Sequence, residues 1–330
     1  MSKNPIRDKN ISMIKKLLFK NRSLFASDLV DYTNLSIVTI NSLLKELVQN
    51  RFVYAQYEVQ REFGRPATKY HFNYDRLKFL LISIVASHGD LFIYSYIVNL
   101  EQNVQQKTCD RFFPCTTEVF QQILSKQLAK EANIQKIAIS IPGKVDEGII
   151  KSSWYENFDQ WPIDELIKSV TDIPYDVQND VHLLTIGHCI LENLSSEGPF
   201  VGIYFPPKSM PGISIFMKNT LIEGNHSLAG EAKYFPTFID NGVPEDDIAL
   251  LKRTVELVSF YNVALAPSTF ILSIPNSIEK QLLEELNNSF SFTSHPNDCE
   301  VQFVKNFEKS ILYGLQWLLF RFTPYDLTKG

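Results

Sequence analysis

Cysteine is scarce in this sequence: four residues (Cys109, Cys115, Cys189 and Cys299) in 330, with no C-x-x-C pair. That excludes a disulfide scaffold, and free thiols in a reducing compartment are expected. No run of about 18 or more apolar residues occurs, so no membrane-spanning helix is expected. Nor is there the unbroken apolar stretch of a secretory signal, because Lys15, Lys16 and Lys20 interrupt the first apolar residues. The expected compartment is the cytoplasm. Low-complexity tracts, long like-charge runs and short-period repeats are absent as well, which excludes solenoids and arrays. With 45% hydrophobic residues, the chain is neither disordered nor collagenous, and its length suits two or three domains with sizeable cores.

The formal net charge is only −5, but it is unevenly distributed. Residues 1–78 hold 14 Lys and Arg against 7 Asp and Glu, a net of +7, and the rest of the chain carries −12. A basic head on an acidic body suits a head that binds a polyanion, since the body would repel nucleic acid. The alternative at this level is a solvated basic face with no partner.

The head reads as a winged helix-turn-helix. Ile11, Ile14 and Leu18 form an apolar stripe on a first helix. Ser27–Tyr32 reads as a short second helix, Thr33-Asn34-Leu35 as the turn, and Ser36 as the N-cap of a third helix. On that third helix Ile37, Ile40, Leu44, Leu47 and Val48 share one arc and are expected to face the core. Val38, Thr39, Ser42, Lys45 and Gln49 lie opposite. Small and polar side chains near the start of a recognition helix reach base edges, so Val38, Thr39 and Ser42 are the candidates for base contact and Lys45 for phosphate. Phe52–Tyr57 and Thr68–Phe72 read as the strands of a wing. Its loop holds Arg61, Gly64, Arg65 and Pro66, and Arg61 and Arg65 are the further candidates for DNA contact, with Arg65 suited to a narrow minor groove. A helical protein-interaction module is the alternative for the whole head.

From Leu77 onward strand-like and helical runs alternate, which argues for α/β layering. Lys78–Ala86 and Leu91–Val98 flank a hairpin signal. Thr117–Glu131 is helical in pattern, Ile134–Ile141 a buried strand, Trp161–Val170 helical, Tyr175–Gln178 a strand and Val181–Leu194 a helix. Phe200–Phe205 and Gly212–Lys218 are further strands. The domain organisation read from this pattern is a DNA-binding head over residues 1–76 and an α/β body over 77–330.

Several short segments now add up. Ser36-Ile37-Val38-Thr39-Ile40 followed by Gly64-Arg65-Pro66, Ile141-Pro142-Gly143-Lys144-Val145-Asp146-Glu147-Gly148, Asn157-Phe158-Asp159-Gln160-Trp161, Val177-Gln178-Asn179-Asp180-Val181 and Gly224–Glu231 occur in that order. In order and spacing they resemble the ROK family (repressors, open reading frames and kinases), in its repressor branch of xylose-repressor and N-acetylglucosamine-repressor kind. The resemblance spans about residues 10–320. It implies a two-lobed actin-like/hexokinase-like (ribonuclease H-like) fold behind the winged helix, with a sugar or sugar phosphate bound between the lobes and a homodimer on operator DNA. By the resemblance the sugar contacts fall on Asn157, Asn179, Asp180 and Glu231, where paired amide and carboxylate groups satisfy hydroxyls. In the family's kinases the residue matching Asp180 is the general base. Other roles stay open: a helix cap for Asn179-Asp180, a turn for Asn157, a solvated carboxylate for Glu231.

Departures from the family pattern argue against an enzyme. Ile84–Asp90, Lys208–Ile213 and Ser273–Asn276 stand where the kinases carry nucleotide-binding glycine motifs, and lack them. No ATP cofactor is therefore expected, and a carboxylate alone transfers no phosphoryl group. The family's zinc-binding His and Cys cluster is replaced by Ala232-Lys233-Tyr234-Phe235-Pro236, so no metal is expected. Tyr234 stands near the lost histidine, as a sugar contact or as a packing aromatic. The function read from the sequence is a sugar-responsive, DNA-binding transcriptional repressor of carbohydrate metabolism. A sugar kinase with a divergent nucleotide site and a ligand-free dimerisation scaffold are the alternatives.

Overall fold

The computed structural model describes residues 5–59, 66–87, 89–153, 158–194 and 198–326. Two compact units separate: Met1–Lys78 with Val98–Gln105 and Phe322–Gly330, and Phe79–Ile97 with Gln106–Arg321.

In the first unit, α1 (Pro5–Asn21), β1 (Ser23–Phe25), α2 (Ala26–Thr33), α3 (Ile37–Gln49), β2 (Val53–Val59) and β3 (Pro66–Phe72) follow one another. The strands form an antiparallel sheet of order β1-β3-β2. Asn34, at positive φ, ends α2, and Ser36 caps α3 by accepting the Thr39 N–H at 3.2 Å. Ile14, Leu18, Leu29, Ile40, Leu43, Leu44 and Leu47 are buried between the helices. One expectation fails here: Ile37 is 46% exposed, and Leu43 fills the core instead. Ile37 is the first helical residue, and a helical side chain leans toward the N-terminus, so it overhangs the end of α3. Phe19, Phe72, Tyr74 and Tyr325 make an aromatic cluster, fastened by the Tyr74 hydroxyl donating to the Phe19 carbonyl at 2.5 Å.

The second unit contains β4 (Lys78–Ser87), β5 (Asp90–Asn99), β6 (Val104–Arg111), α4 (Thr117–Leu128), β7 (Ile134–Ile141), β8 (Gly143–Asp146), β9 (Ile149–Ser153), α5 (Ile163–Lys168), β10 (Tyr175–Asn179) and α6 (Asp180–Leu191). Then come β11 (Phe200–Tyr204), β12 (Gly212–Met217), β13 (Thr220–Leu221), α7 (Pro236–Asn241), α8 (Asp247–Leu265), β14 (Thr269–Ser273), α9 (Glu279–Asn288), α10 (Phe290–Thr293), β15 (Glu300–Phe303) and α11 (Phe307–Phe320). By the division into units, Lys78 of β4, Val98 and Asn99 of β5, and Val104 and Gln105 of β6 count with the first unit.

The two large sheets run β6-β5-β4-β7-β10 and β13-β12-β11-β14-β15. Numbered within each half, both read 3-2-1-4-5. Parallel pairs β7/β10, β11/β14 and β14/β15 follow the hairpin-connected strands, so each lobe repeats one mixed α/β plan. This is the two-lobed actin-like architecture expected from the resemblance. Each half ends in a helix, α6 or α11, and these two helices cross where Gly187 and Gly314 meet. A Cβ on Gly187 would lie 1.7 Å from the Ser310 carbonyl oxygen, and one on Gly314 would lie 2.1 Å from that of Leu183. Both glycines stand seven residues into their helices, and their contacts three residues in, so the crossing has an approximate two-fold axis. Each lobe has its own core: Ile82, Ile93, Phe112, Phe120, Ile139, Phe158 and Trp161 in the first, and Val201, Ile203, Phe238, Val258, Phe270 and Leu282 in the second.

Candidate functional site

The cleft of the second unit is built where β7 and β10 end side by side, Asn179 opposite Ile141. Asn179 is the N-cap of α6, its side chain accepting the Val181 N–H at 3.0 Å. Asp180, also buried, accepts the same N–H at 2.7 Å. A carboxylate there faces the positive end of the helix dipole. Beyond Pro142 the chain enters the β8–β9 hairpin, with Gly143 opposite Ser153 and Lys144 opposite Ser152.

Lys144 is only 5% exposed. Its Nζ donates to the Ala229 carbonyl at 2.5 Å and lies 3.1 Å from Glu231 Oε1. Ser152 Oγ donates to Glu231 Oε2 at 2.7 Å and accepts from Lys233 Nζ at 2.7 Å, and that ammonium lies 3.9 Å from Glu231 Oε2. Glu231 reaches this hub because Gly230, at positive φ, lets the loop lie against β12, where a Cβ would stand 2.6 Å from the Ile213 carbonyl oxygen. Burial holds the Lys144 ammonium below its usual pKa, and Glu231 partly offsets that. Under the cleft, burial and then the Lys144 charge push His182 down to about 3. His182 is therefore a neutral imidazole, and its Nδ1, 3.0 Å from Gln178 Oε1, donates to it.

Asn179, Asp180, Lys144, Ser152, Glu231 and Lys233 line one cavity of about 650 Å³, together with Tyr204 and the Lys208–Ile213 loop. Of the predicted sugar contacts, Asn179, Asp180 and Glu231 are brought together on its wall. The capping role weighed for Asn179 is occupied too, by its Oδ1. Asn157 lies outside the described residues, but its neighbour Asp159 lines the cavity, accepting the Ser153 N–H at 2.8 Å. Tyr234 is 65% exposed and is not among the residues lining the cavity; its ring lies beneath the Lys233 ammonium, 5.3 Å from the ring centre. The 3-10 turn Ala232–Tyr234 begins after Glu231, so the three-residue spacing does not return Tyr234 to the same side; Ala232 turns inward and Lys233 takes the wall. Lys144, Ser152 and Lys233 were missed by the sequence reading. Lys144 stands inside one of the family-like segments and Lys233 inside the segment that replaces the zinc cluster, but nothing local marks a lysine as a cavity group.

A second cavity, of about 410 Å³, gathers two of the three segments that lack nucleotide-binding glycines, those around Ile84–Asp90 and Ser273–Asn276, while the Lys208–Ile213 loop lines the first cavity instead. Ser87, Phe205, Pro207 and Ser273-Ile274-Pro275 line it with Tyr94, Tyr96, Tyr204, Phe307 and Glu308. Among the described residues no Lys or Arg is in that lining, and its charged member is the Glu308 carboxylate, 2.5 Å from Lys107 Nζ. Tyr204 belongs to the walls of both cavities. Among the described residues no group of three or more His, Cys, Asp or Glu is placed to hold a metal, and no helix is long and apolar enough to cross a membrane.

In the first unit, α3 carries Val38 (76% exposed), Ser42 and Lys45 on its outer face, with Thr39 half-buried at the cap. Ile6, Arg7 and Asn10 of α1 border Val38, Thr39 and Ser42 around a shallow pocket, and Arg7 pairs with Glu46. Four of the six predicted DNA contacts thus share one helix. Arg61 and Arg65 lie outside the described residues.

No curated protein matches the sequence. Residues 96–236 match the profile of the ROK family. Among solved structures, a ROK family transcriptional regulator, a homolog of the E. coli MLC protein, superposes with a TM-score of 0.61 at 15% identity, over 96% of this chain and 97% of its own. A putative N-acetylmannosamine kinase from Listeria monocytogenes superposes with a TM-score of 0.57 at 14% identity, over 74% of this chain and 99% of its own. A ROK family glucokinase from Streptomyces griseus, in complex with glucose and AMPPNP, gives 0.55 at 15% identity, over 73% and 98%. At such identities the likeness is one of fold, and it is shared by regulator and kinases alike. Over residues 96–236 the sequence is thus similar to the ROK family, and its two-lobed fold is shared with ROK regulators and kinases of known structure.

Proposed function

We propose that the protein is a DNA-binding transcriptional regulator, a repressor acting as a homodimer, whose two-lobed region senses a sugar. The observation that carries this reading is the first unit: a capped helix, α3, reached through a short turn from α2, with Val38, Ser42 and Lys45 outermost and a two-stranded hairpin after it. This arrangement supports the reading as a winged helix-turn-helix, in which such a helix enters the major groove. The kinases cover about three quarters of this chain, and the quarter they leave has the size of that unit. Cleft closure on the effector would alter the spacing of two heads held on half-sites about one helical turn apart.

Asp180 at the cleft keeps the kinase reading in play, because the carboxylate that would serve as general base is in the cavity wall. Against it stands the second cavity, whose lining offers aromatic rings, prolines and a carboxylate where a triphosphate needs cations and backbone N–H groups. Selection of duplexes from a random pool by the purified protein tests the regulator reading. Enriched sites should be palindromic. Lys45→Ala should weaken binding across sequences and flatten the salt dependence by about one unit of slope. Recovery of no sequence, together with sugar-dependent ADP release that requires Asp180, would establish the kinase instead.

A further inference from the structure

The second cavity has walls unlike those of the first. On β4, Leu80, Ile82 and Ile84 belong to the core of the first lobe, and on β5 Leu91, Ile93 and Ile97 do the same. Strand alternation turns their neighbours Ser83, Val85 and Ser87, with Tyr94 and Tyr96, to the opposite face of the sheet, and these line the cavity. Tyr204 at the end of β11, Ile274 beyond β14 and Phe307 at the start of α11 add to the wall, the Tyr204 and Phe307 rings lying 5.2 Å apart. An apolar, aromatic wall with few polar groups is the usual make-up of a small-molecule site, and about 410 Å³ is within the usual size.

The charge in this wall is already answered. Lys107 Nζ lies 2.5 Å from Glu308 Oε1, and 5.2 and 5.8 Å from the Tyr94 and Tyr96 ring centres. The chain's own ammonium thus takes the carboxylate and the rings that would draw a cationic ligand. Burial, and then Glu308, raise the Tyr96 pKa, so that phenol stays neutral. An anion finds no Lys or Arg in the lining among the described residues. One polar group is left over. Ser83 is 3% exposed, and its hydroxyl has no hydrogen-bond partner among the described residues. Other buried serines share that lack, but Ser83 alone of them belongs to the lining of either cavity. A buried hydroxyl without a partner is costly, and a ligand can supply one. We infer that the second cavity binds a small, uncharged, planar aromatic compound carrying one hydrogen-bonding group, with its ring among Tyr94, Tyr96, Tyr204 and Phe307 and its polar group at Ser83. The inference does not rest on the sugar reading, which concerns the other cavity.

Ligand-observed NMR and calorimetric titration of the full chain test this, with naphthalene-2-carboxamide and indole as the neutral probes. The comparison compounds are 2-naphthoate, 2-naphthylmethylammonium, cyclohexanecarboxamide and ATP. At least one neutral probe should bind roughly tenfold or more tightly than each of the first three, because an unanswered charge and a non-planar ring both lose affinity here. Excess ATP should not displace it. Val85→Trp, which fills the cavity, should abolish binding, and Ser87→Trp at the end of β4 obstructs it independently, each variant being checked for an unchanged circular dichroism spectrum. Ser83→Ala should weaken binding about threefold to tenfold, as loss of one hydrogen bond implies. A charged analogue binding as tightly as its neutral parent would overturn the inference, as would binding undiminished in either folded tryptophan variant. Displacement by ATP would overturn it in favour of a nucleotide site. Binding by neither neutral probe would overturn it and leave the sugar reading standing.

Discussion

His182 makes a quantitative prediction about acid. It lies on α6 directly after Asn179, Asp180 and Val181 of the cleft wall, almost wholly buried, donating from Nδ1 to Gln178 Oε1, with the Lys144 charge nearby. Its folded pKa is about 3 against an ordinary 6.5, first because burial penalises the imidazolium and then because Lys144 repels it. As the pH falls below 6.5 the unfolded chain takes up a proton that the folded chain refuses. Stability contributed by this group is full above 6.5 and is lost progressively down to about 3. At about 1.36 kcal/mol per unit, the loss is about 2 kcal/mol by about pH 5 and about 4–5 kcal/mol at the lower end of the window. His182→Asn keeps an N–H where Nδ1 stood and removes the titration. Urea unfolding, followed by circular dichroism at pH 7.5, 6, 5 and 4, should show the wild type losing about 2 kcal/mol more than the variant between pH 7.5 and 5. The comparison is of slopes, so a constant penalty for the smaller side chain does not enter. Parallel slopes for the two proteins would refute the reasoning, because a His182 that accepts protons when folded cannot lie in the buried, neutral environment described.

The remaining predictions concern packing, capping and the buried ion pair. Gly187→Ala should force α6 and α11 apart and cost about 1–3 kcal/mol or more, read as a lower thermal midpoint; an unchanged midpoint would argue against the crossing. Ser36→Ala should remove the α3 cap at about 1 kcal/mol and speed hydrogen exchange at the Thr39 amide, while amides in the second half of α3 stay protected. Glu231→Gln should strip the buried Lys144 ammonium of its nearest counter-charge, leaving only the weaker influence of Glu223, at about 3 kcal/mol in urea unfolding, and adding Lys144→Met should recover much of that loss. If the double variant is no more stable than Glu231→Gln alone, the two residues are not energetically coupled.

Much of the fold could be read along the chain because its signals are local. The Ser36 cap and the stripe through Ile40, Leu44 and Leu47 follow from helical period and hydrogen-bonding capacity, and the strand Ile134–Ile141 from a continuous apolar run. The residues Asn179, Asp180 and Glu231 were legible as a set because their motifs kept order and spacing. Strand β6 (Val104–Arg111) escaped notice because it is the outer strand of its sheet and mostly exposed, so it shows no apolar alternation. The elements after β12 were not read at all, though β14 and α11 are apolar enough to be core. Ile37 was misjudged because a helical wheel ignores where the helix begins.

The sequence by itself determined the basic head and acidic body, the helix-turn-helix order, and the segments that converge on the cleft. All of these are properties of neighbours in the chain. The tertiary structure decided the rest, because it brings together groups far apart in sequence. Lys144 meets Ala229 across 85 residues and Ser152 meets Lys233 across 81, so the charge of the cleft exists only once the lobes are built. The repeated 3-2-1-4-5 strand order left no trace as a sequence repeat, because sheet order depends on which backbones pair and many sequences satisfy the same pairing. The crossing of Gly187 on Gly314 is likewise silent in one dimension: a glycine within a helix reads as a weak point until a second backbone is found to occupy the space its missing side chain leaves.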